Sequence, residues 1–131
     1  MNKSTRKKTA VVKPKINRST YNIDASGRIL GRLACEIVTL LRGKNKPNFQ
    51  YYLEQGNVVN IINASKLAVS GKKYAQKEYY HYSGYPGGLK TQKFSLAFSK
   101  NPAKVLKAAV WNMLPKNKLR AVMIRRLKIS N

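Results

Sequence analysis

Residues 21–44 have the pattern of a strand, a turn and a helix, and the helix is the most regular element of the sequence. Its apolar residues recur at the spacing i, i+3, i+4 and i+7, at Leu30, Leu33, Ala34, Ile37, Leu40 and Leu41. This stripe predicts an amphipathic helix with one face packed on a sheet. Gly43 stands where a left-handed residue commonly ends a helix, and residues 24–27 are of the turn and capping types that begin one.

A second strand is predicted at residues 58–62. This run is almost continuously apolar, which is typical of a strand covered on both faces, and Asn60 within it requires a hydrogen-bond partner. A strand, a helix and a buried strand in this order favour a right-handed βαβ unit. Residues 66–70 and 77–82 alternate in polarity and predict further strands.

The last third of the chain is predicted to be helical. Asn101 and Pro102 form a cap and a first helical residue, and Pro115 ends the helix because it pushes Leu114 out of the helical region. A shorter helix is predicted next, with apolar residues inward at Leu119, Val122, Met123 and Leu127. Its basic residues are expected to face outward and contact phosphates, at Arg120, Arg125, Arg126 and Lys128.

The charge of the chain restricts its partners. Its 131 residues suit a single domain, expected over residues 20–131, and 27 Lys and Arg against 4 Asp and Glu give a formal net charge of +23. A compact chain of that charge repels itself, so a polyanion is expected to neutralise it, and nucleic acid is the natural one. A membrane surface is a weaker candidate, because no amphipathic helix concentrates the charge opposite a broad aromatic face.

Several other kinds of site are excluded by the residues present. With a single cysteine, Cys35, and a single histidine, His81, the chain has neither an internal disulfide nor a zinc ligand set. Acid–base catalysis needs paired groups, whereas Asp24 lies near a helix start and Glu36 has the spacing to pair with Arg32. No apolar run approaches the roughly 20 residues of a membrane helix. We expect a soluble intracellular protein with no catalytic residue, cofactor or metal ion.

The amino-terminal residues 1–19 are basic and contain no acid. Such a segment buries too little apolar surface to fold alone. It is either a basic arm that becomes ordered on RNA or an organelle transit peptide. The arm is favoured, because the segment lacks the amphipathic pattern of a transit helix.

A loop rich in glycine, residues 83–88, lies in the tyrosine-rich part of the chain. One interpretation is a simple turn between two elements. The other is that its glycines let backbone amides approach phosphates, while Tyr82 and Tyr85 pack on sugars or bases beside Lys90. Seven of the eight tyrosines lie between positions 51 and 85. Their interleaving with lysines favours the second interpretation.

Several motifs are specific only in combination. They are Tyr21-Asn-Ile-Asp-Ala-Ser-Gly-Arg-Ile-Leu-Gly-Arg-Leu-Ala34, Leu41-Arg-Gly-Lys44, Asn63-Ala64 with Val69-Ser-Gly-Lys72, Tyr79-Tyr-His-Tyr-Ser-Gly-Tyr-Pro-Gly-Gly88 and Met113-Leu-Pro-Lys-Asn-Lys-Leu119. Together and in this order they resemble the bacterial type of the large-subunit ribosomal protein L13 family, over residues 21–128. The chain departs from that pattern at Gln50-Tyr51-Tyr52, at Arg120-Ala121 and at Asn57, where the family usually has an aspartate.

The resemblance implies a single three-layer α/β/α domain around a small, mainly parallel, four-stranded sheet. It also implies a structural role in the large ribosomal subunit, with early binding to large-subunit rRNA and contacts to neighbouring ribosomal proteins. No membrane partner and no homo-oligomer are expected. The ribosome would be in a bacterial cytoplasm, or alternatively in a plastid or mitochondrion. The alternative function is a free RNA-binding regulator of translation.

The resemblance and the basic and aromatic pattern together define a candidate RNA-binding set. Its members are Arg28, Arg32, Arg42, Lys44, Lys46, Lys72, Lys73, His81, Tyr82, Tyr85, Lys90, Lys116, Lys118, Arg120, Arg125, Arg126 and Lys128. Ten of them are positions that the resemblance implies to face RNA, namely Arg28, Arg32, Arg42, Lys44, Lys72, His81, Lys90, Lys116, Arg125 and Lys128.

Overall fold

The structure, a computed structural model, describes residues 16–131. The strands are β1 (Thr20–Asp24), β2 (Val58–Ile62), β3 (Glu78–Tyr82), β4 (Leu89–Lys93) and β5 (Leu127–Ile129). The helices are α1 (Leu30–Arg42), α2 (Lys73–Gln76), α3 (Phe94–Lys100), α4 (Pro102–Met113) and α5 (Leu119–Ile124). Most of the predicted basic arm, residues 1–15, lies outside the described residues.

A parallel sheet in the order β1-β2-β5 forms the centre of the fold. β2 lies between its two partners, with Val59 opposite Tyr21 on one side and opposite Leu127 on the other. The predicted mixed α/β class with a mainly parallel sheet is therefore confirmed. β3 and β4 form a separate antiparallel hairpin.

The parallel sheet has three strands in the described part of the chain, where four were expected. The strand predicted at residues 66–70 forms only one bridge, in which Ala68 pairs with Ile29. The reason lies just after β2, where Asn63 adopts a left-handed conformation and residues 64–66 form a 3₁₀ turn. After this turn, Lys66 and Ala68 form backbone hydrogen bonds with residues 27–30, which lie beyond the end of β1, so residues 66–70 do not become a fourth strand of the sheet.

Only one face of this sheet is apolar and buried. Val59 and Ile61 are fully buried, whereas Ile62 on the other face is 47% exposed. That other face carries Asn60, whose side-chain amide donates to Asn22 at 2.9 Å. The prediction that β2 is covered on both faces, as in a three-layer domain, is therefore not met by residues 16–131. Helices pack on the face of Val59 and Ile61.

Helix α1 forms where its apolar stripe predicted it, and Leu33, Ala34, Ile37 and Leu41 are its buried residues. Gly43 follows with φ +78°, and its N–H donates to the carbonyls of Thr39 and Leu40. The start of the helix differs from the prediction. The residue before the helix is Ile29, without a side-chain cap, and Asp24 instead accepts from the backbone N–H and hydroxyl of Ser26.

Helix α4 packs against α1 and contributes Val105, Leu106 and Val110 to the common core. Its predicted boundaries are confirmed. The Asn101 side chain accepts from the N–H of Lys104 at 3.0 Å, and Leu114 is extended before Pro115.

The end of the chain was only partly predicted. α5 stops at Ile124, and the residues that follow it form the edge strand β5. Leu127 is buried as a strand residue, and Val122, predicted to face inward, is 43% exposed.

The hairpin is attached to the domain by aromatic rings. Phe94, at the start of α3, is buried and stacks on Tyr79 of β3 with ring centroids 6.1 Å apart. Phe98 stacks on Phe94 at 5.8 Å, and Tyr74 of α2 contacts both of these phenylalanines edge-on. The hairpin, α2 and α3 therefore form one packed unit.

Candidate nucleic-acid interface

All four carboxylates of the chain are already engaged within the protein. Asp24 accepts from Ser26 and Asn63, and Glu78 accepts from the Tyr80 hydroxyl. The other two form ion pairs: Glu36 with Arg28, and Glu54 with Arg18 and Arg126. The remaining lysines and arginines among residues 16–131 have no carboxylate partner, so their charge is available to an external anion.

The outer face of α1 carries the first group of candidates. The spacing predicted that Glu36 pairs with Arg32. In the structure Glu36 pairs with Arg28, at 3.0 Å. Arg32 is exposed and unpaired within the described part of the chain. Arg42 is half-buried, with its guanidinium 5.7 Å from the centroid of the Phe49 ring. Arg32 is thus the freest cation of this face.

The loop after α1 carries two lysines that look equivalent in the sequence but differ in their contacts. Lys44 is exposed. The ammonium of Lys46 donates to the carbonyls of Asn17 at 2.6 Å and Gln55 at 2.8 Å. Lys46 therefore ties the segment before β1 to the segment before β2, and much of its hydrogen-bonding capacity is used internally.

The hairpin brings four of the candidates together. His81 and Lys90 are directly opposite each other across the strands, and Tyr82 and Tyr85 are both exposed. The connecting loop is closed by the Ser83 N–H, which donates to the Gly88 carbonyl at 3.2 Å. Residues 83–88 therefore form the turn between β3 and β4, and the hairpin carries both basic and aromatic groups. The interpretation that this loop contacts phosphates and bases stays a prediction. Lys72 and Lys73 lie at the start of α2 and are also exposed.

The turn between α4 and α5 carries another group. Lys116 and Lys118 are exposed. Arg120 is not free, because its Nε donates to the Trp111 carbonyl at 2.7 Å and its guanidinium lies 4.3 Å from the centroid of the Trp111 ring. Trp111 is therefore covered by a cation from its own chain, as in a cation–π pair.

Arg126 is the one candidate that the structure places in the interior. It is 8% exposed, and it donates from Nη1 to the Gly56 carbonyl and from Nη2 to the Leu41 carbonyl, both at 2.9 Å. It also forms an ion pair with Glu54. Burial lowers the pKa of its guanidinium, and the charge of Glu54 opposes that effect. The prediction that Arg126 faces outward is wrong, whereas Arg125 and Lys128 are exposed as predicted.

Two further kinds of site are absent from residues 16–131. No group of three or more His, Cys, Asp or Glu side chains there is placed to hold a metal ion. Within the same residues, no helix has the length and apolar character needed to cross a membrane.

Comparison with known proteins identifies the family. The model of the family described as Ribosomal protein L13 matches residues 18–130. The chain belongs to the ribosomal protein L13 family. The large ribosomal subunit protein uL13 of Chlorobium phaeobacteroides (strain BS1) is 45% identical over 130 residues, which cover 98% of this chain and 87% of that relative.

Other L13 relatives are similar to the same degree. The large ribosomal subunit protein uL13 of Chloroflexus aggregans is 46% identical over 123 residues, covering 93% of this chain and 86% of the relative. The large ribosomal subunit protein uL13 of Thermotoga petrophila is 45% identical over 123 residues, which cover 93% of this chain and 83% of that relative. The resemblance noted from the motifs is thereby confirmed.

One departure from the usual L13 pattern has a local explanation. Asn57 is fully buried. Its amide nitrogen donates to the Leu40 carbonyl at 3.3 Å and to the Asn45 side-chain oxygen at 3.1 Å, while its oxygen faces the Ser19 N–H at 3.4 Å. A carboxylate has no hydrogen to donate, so the amide fits the acceptors around position 57 in this chain.

Sequence reasoning missed a basic groove of this L13 domain. The groove has a volume of about 480 Å³, and it lies between the hairpin, α3 and the start of α4. Its polar lining comprises Tyr79, Gln92, Lys100, Asn101 and Lys104. The signal was present, since both lysines flank the Asn101-Pro102 cap, but the groove exists only because the hairpin folds back on α3.

Proposed function

We propose that this protein is a structural constituent of the large ribosomal subunit that binds large-subunit rRNA and supports early subunit assembly. The observation that carries the proposal is that all four side-chain carboxylates are engaged within the protein, two in ion pairs and two in hydrogen bonds to neutral groups, in a chain with 27 Lys and Arg. Most of the surface cations are therefore left without counter-charge from the protein. Membership of the L13 family supplies the identity of the polyanion, because the relatives are named as large ribosomal subunit proteins.

The proposed contacts come from exposed or half-buried basic residues on several elements. The candidates retained are Arg28, Arg32, Arg42, Lys44, Lys72, Lys73, His81, Lys90, Lys116, Lys118, Arg125 and Lys128. Three other candidates have contacts within the protein and are not proposed as phosphate contacts, namely Lys46, Arg120 and Arg126. Tyr82 and Tyr85 are retained as stacking residues.

The named relatives are bacterial proteins, which supports a bacterial ribosome as the location. No observation favours the free regulator of translation over the ribosomal role. A regulator would require a compact, specific surface, whereas the unpaired cations here are distributed over several elements.

The test is sedimentation of a native extract of the source cells on a sucrose gradient, before and after a high-salt wash, with the chain followed by mass spectrometry. Stoichiometric, salt-resistant migration with the large subunit is expected. Recovery mainly in the light soluble fractions would overturn the proposal.

A further inference from the structure

The basic groove of this domain has three walls, each from a different part of the fold. The hairpin supplies Tyr79 and Gln92, which are paired directly across β3 and β4. The end of α3 supplies Lys100, and the first turns of α4 supply Lys104 and Val105. The volume of about 480 Å³ lies within the range of roughly 300–1,000 Å³ that is common for small-molecule sites. The groove is therefore large enough to take one nucleotide.

The walls of the groove are held in place by contacts within the protein. Tyr79 stacks on the buried Phe94, with ring centroids 6.1 Å apart. Asn101 joins the two helices, because its backbone N–H donates to the Ala97 carbonyl and its side chain accepts from the Lys104 N–H, both at 3.0 Å. The groove is thus formed before a ligand arrives, and binding there requires little ordering of the protein.

Part of the groove lining is apolar. Val105 is 4% exposed, and Ala97 and Ala108 are half-buried. These three side chains are small, so they leave room for a flat ring to pack against them. A free phosphate ion would gain nothing from this apolar surface. The lining therefore favours a ligand that has an apolar part as well as a charged part.

The charged part of the lining is entirely positive. Lys100 and Lys104 are exposed, and neither takes part in an ion pair within residues 16–131. The groove lining contains no acid. Glu78 is next to Tyr79 in the chain, but successive strand residues point to opposite faces, and its carboxylate accepts from the Tyr80 hydroxyl at 3.0 Å. The groove therefore attracts an anion.

Two further side chains of the lining are polar and neutral. Burial raises the pKa of the Tyr79 hydroxyl, so this group stays protonated at neutral pH and can donate a hydrogen bond. Gln92 is exposed, and its side-chain amide can both donate and accept. The edge of a nucleic-acid base also presents both donors and acceptors. These two residues are therefore suited to the polar edge of a base.

We propose that this groove holds one unpaired nucleotide of RNA, with its base against the apolar lining and its phosphate at Lys100 and Lys104. A nucleotide fits the lining better than an acidic peptide does, because it combines a planar ring and an anionic group in one unit of this size. A paired base is held in its stack and cannot enter, whereas an unpaired base can be splayed out. The inference rests on the proposed function, since it specifies one of the RNA contacts, and it adds Lys100 and Lys104 to the candidate residues.

The direct test uses the full chain and synthetic RNA hairpins that are fully paired or carry a single bulged nucleotide, with each of the four bases in turn. Binding is measured by fluorescence anisotropy at raised salt, where backbone contacts are weakened. The best of the bulged RNAs is expected to bind at least roughly fivefold more tightly than the paired RNA. Equal affinity for all of the RNAs would overturn the inference.

Matched lysine variants locate the bulged nucleotide on the protein. Lys100→Gln and Lys104→Gln are each expected to remove most of the preference for the bulge. Lys107→Gln is the control, because Lys107 is exposed on the same helix as Lys104 but is not part of the groove lining. It removes the same charge and should keep the preference. A preference that survives both groove substitutions, or that is lost equally in all three variants, would overturn the inference.

A substitution that fills the groove tests the apolar lining without a change of charge. Ala108→Leu adds side-chain volume inside the groove, and it should remove the preference for the bulge while the affinity for paired RNA stays the same. Circular dichroism would establish that the variant is folded. An unchanged preference in folded Ala108→Leu would overturn the inference. If this variant does not fold, the substitutions of the exposed lysines still decide the question.

A second measurement is made on purified large subunits that contain the wild-type chain. Photo-cross-linking followed by mass spectrometry is expected to join an unpaired rRNA nucleotide to Tyr79, Lys100 or Lys104. Cross-linking of these residues to a neighbouring protein, or to a paired nucleotide, would overturn the inference. If the chain does not sediment with the large subunit, the proposed function fails, and the binding of bulged RNA by the isolated chain still decides the inference about the groove separately.

Discussion

Arg126 and Glu54 form an ion pair beneath the surface of the domain, joining the start of β5 to the loop before β2. The same guanidinium donates to the carbonyls of Gly56 and Leu41 at 2.9 Å. It therefore connects the carboxyl-terminal end of α1, the loop and the last strand. Arg126 is a structural residue, although the sequence around it is typical of a phosphate-binding segment.

Arg126→Ala is expected to lower the free energy of unfolding by about 3–5 kcal/mol, because it leaves the carbonyls of Gly56 and Leu41 without their donor and leaves Glu54 with Arg18 as its one remaining ion-pair partner among the described residues. Urea unfolding followed by circular dichroism would measure it. The control is Arg125→Ala at the exposed neighbouring position, expected to change stability by less than about 0.5 kcal/mol. Equal stability of the two variants would contradict the buried role of Arg126.

Arg125→Glu is expected to reduce incorporation into the large subunit without unfolding the protein, since it reverses an exposed charge that faces no internal carboxylate. Quantitative mass spectrometry of gradient-purified subunits would measure the occupancy. Arg126→Glu is not a suitable probe of RNA binding, because its effect on folding would remove the protein from the ribosome for another reason. Full occupancy by a folded Arg125→Glu chain would show that position 125 makes no important phosphate contact.

Gly56→Ala is expected to prevent normal folding, because a Cβ at position 56 would lie 1.7 Å from the Leu41 carbonyl oxygen. The matched change is Gly31→Ala in α1, where a Cβ would meet no atom within 4 Å. That variant should be more stable than the wild type by roughly 0.5–1 kcal/mol, since alanine is the better helix former. Thermal unfolding of both proteins would measure the difference, and a well-folded Gly56→Ala protein would contradict the close approach.

Lys44→Met and Lys46→Met are expected to affect different properties. Loss of Lys44, which is exposed, should reduce the log–log salt slope of RNA binding by about 0.7–0.9 for a single phosphate contact and leave stability unchanged. Loss of Lys46 removes two hydrogen bonds to carbonyls and should lower stability by roughly 1–3 kcal/mol. Filter binding over a salt series would measure the salt slope of each variant, and urea unfolding would measure its stability. A loss of stability in Lys44→Met with none in Lys46→Met would contradict these roles.

The carboxyl group of Asp24 predicts a pH dependence. The backbone N–H of Ser26 is the main cause that lowers the pKa of Asp24, followed by the side chain of Asn63. A depressed pKa in the folded state stabilises the protein above the unfolded pKa of about 3.9, and the effect is lost as the pH falls through the folded pKa. Asp24→Asn should therefore be less stable than the wild type near pH 7, and the difference should shrink below about pH 4. A difference that does not change with pH would contradict this role.

The sequence predicted correctly those elements that depend on interactions between residues close together in the chain. The stripe of α1 and the Asn101-Pro102 cap of α4 need only neighbouring residues, and both were placed correctly. Leu127 was assigned to a helix because its four-residue spacing from Met123 fits a helical stripe. Three alternating residues are too few to indicate a strand without their partner β2.

The sequence predicted which residue types make up the candidate interface, but not which of those side chains are exposed. Arg125 and Arg126 are adjacent and chemically identical, yet one is exposed and the other is buried against Glu54. That distinction depends on a loop far away in the sequence. For the same reason Lys46 resembled a surface lysine, although its partners are the carbonyls of Asn17 and Gln55.

The strand order β1-β2-β5 also has a consequence during synthesis. The edge of β2 that receives β5 remains open until residues 127–129 have left the exit tunnel, and Glu54 lacks Arg126 for equally long. The nascent chain therefore displays an unpaired strand edge from the time that β2 leaves the tunnel until β5 does, and such an edge is a site for misassociation. Newly made chains should depend on chaperones that recognise exposed apolar strands, and premature chain release before residue 126 should yield an aggregating fragment.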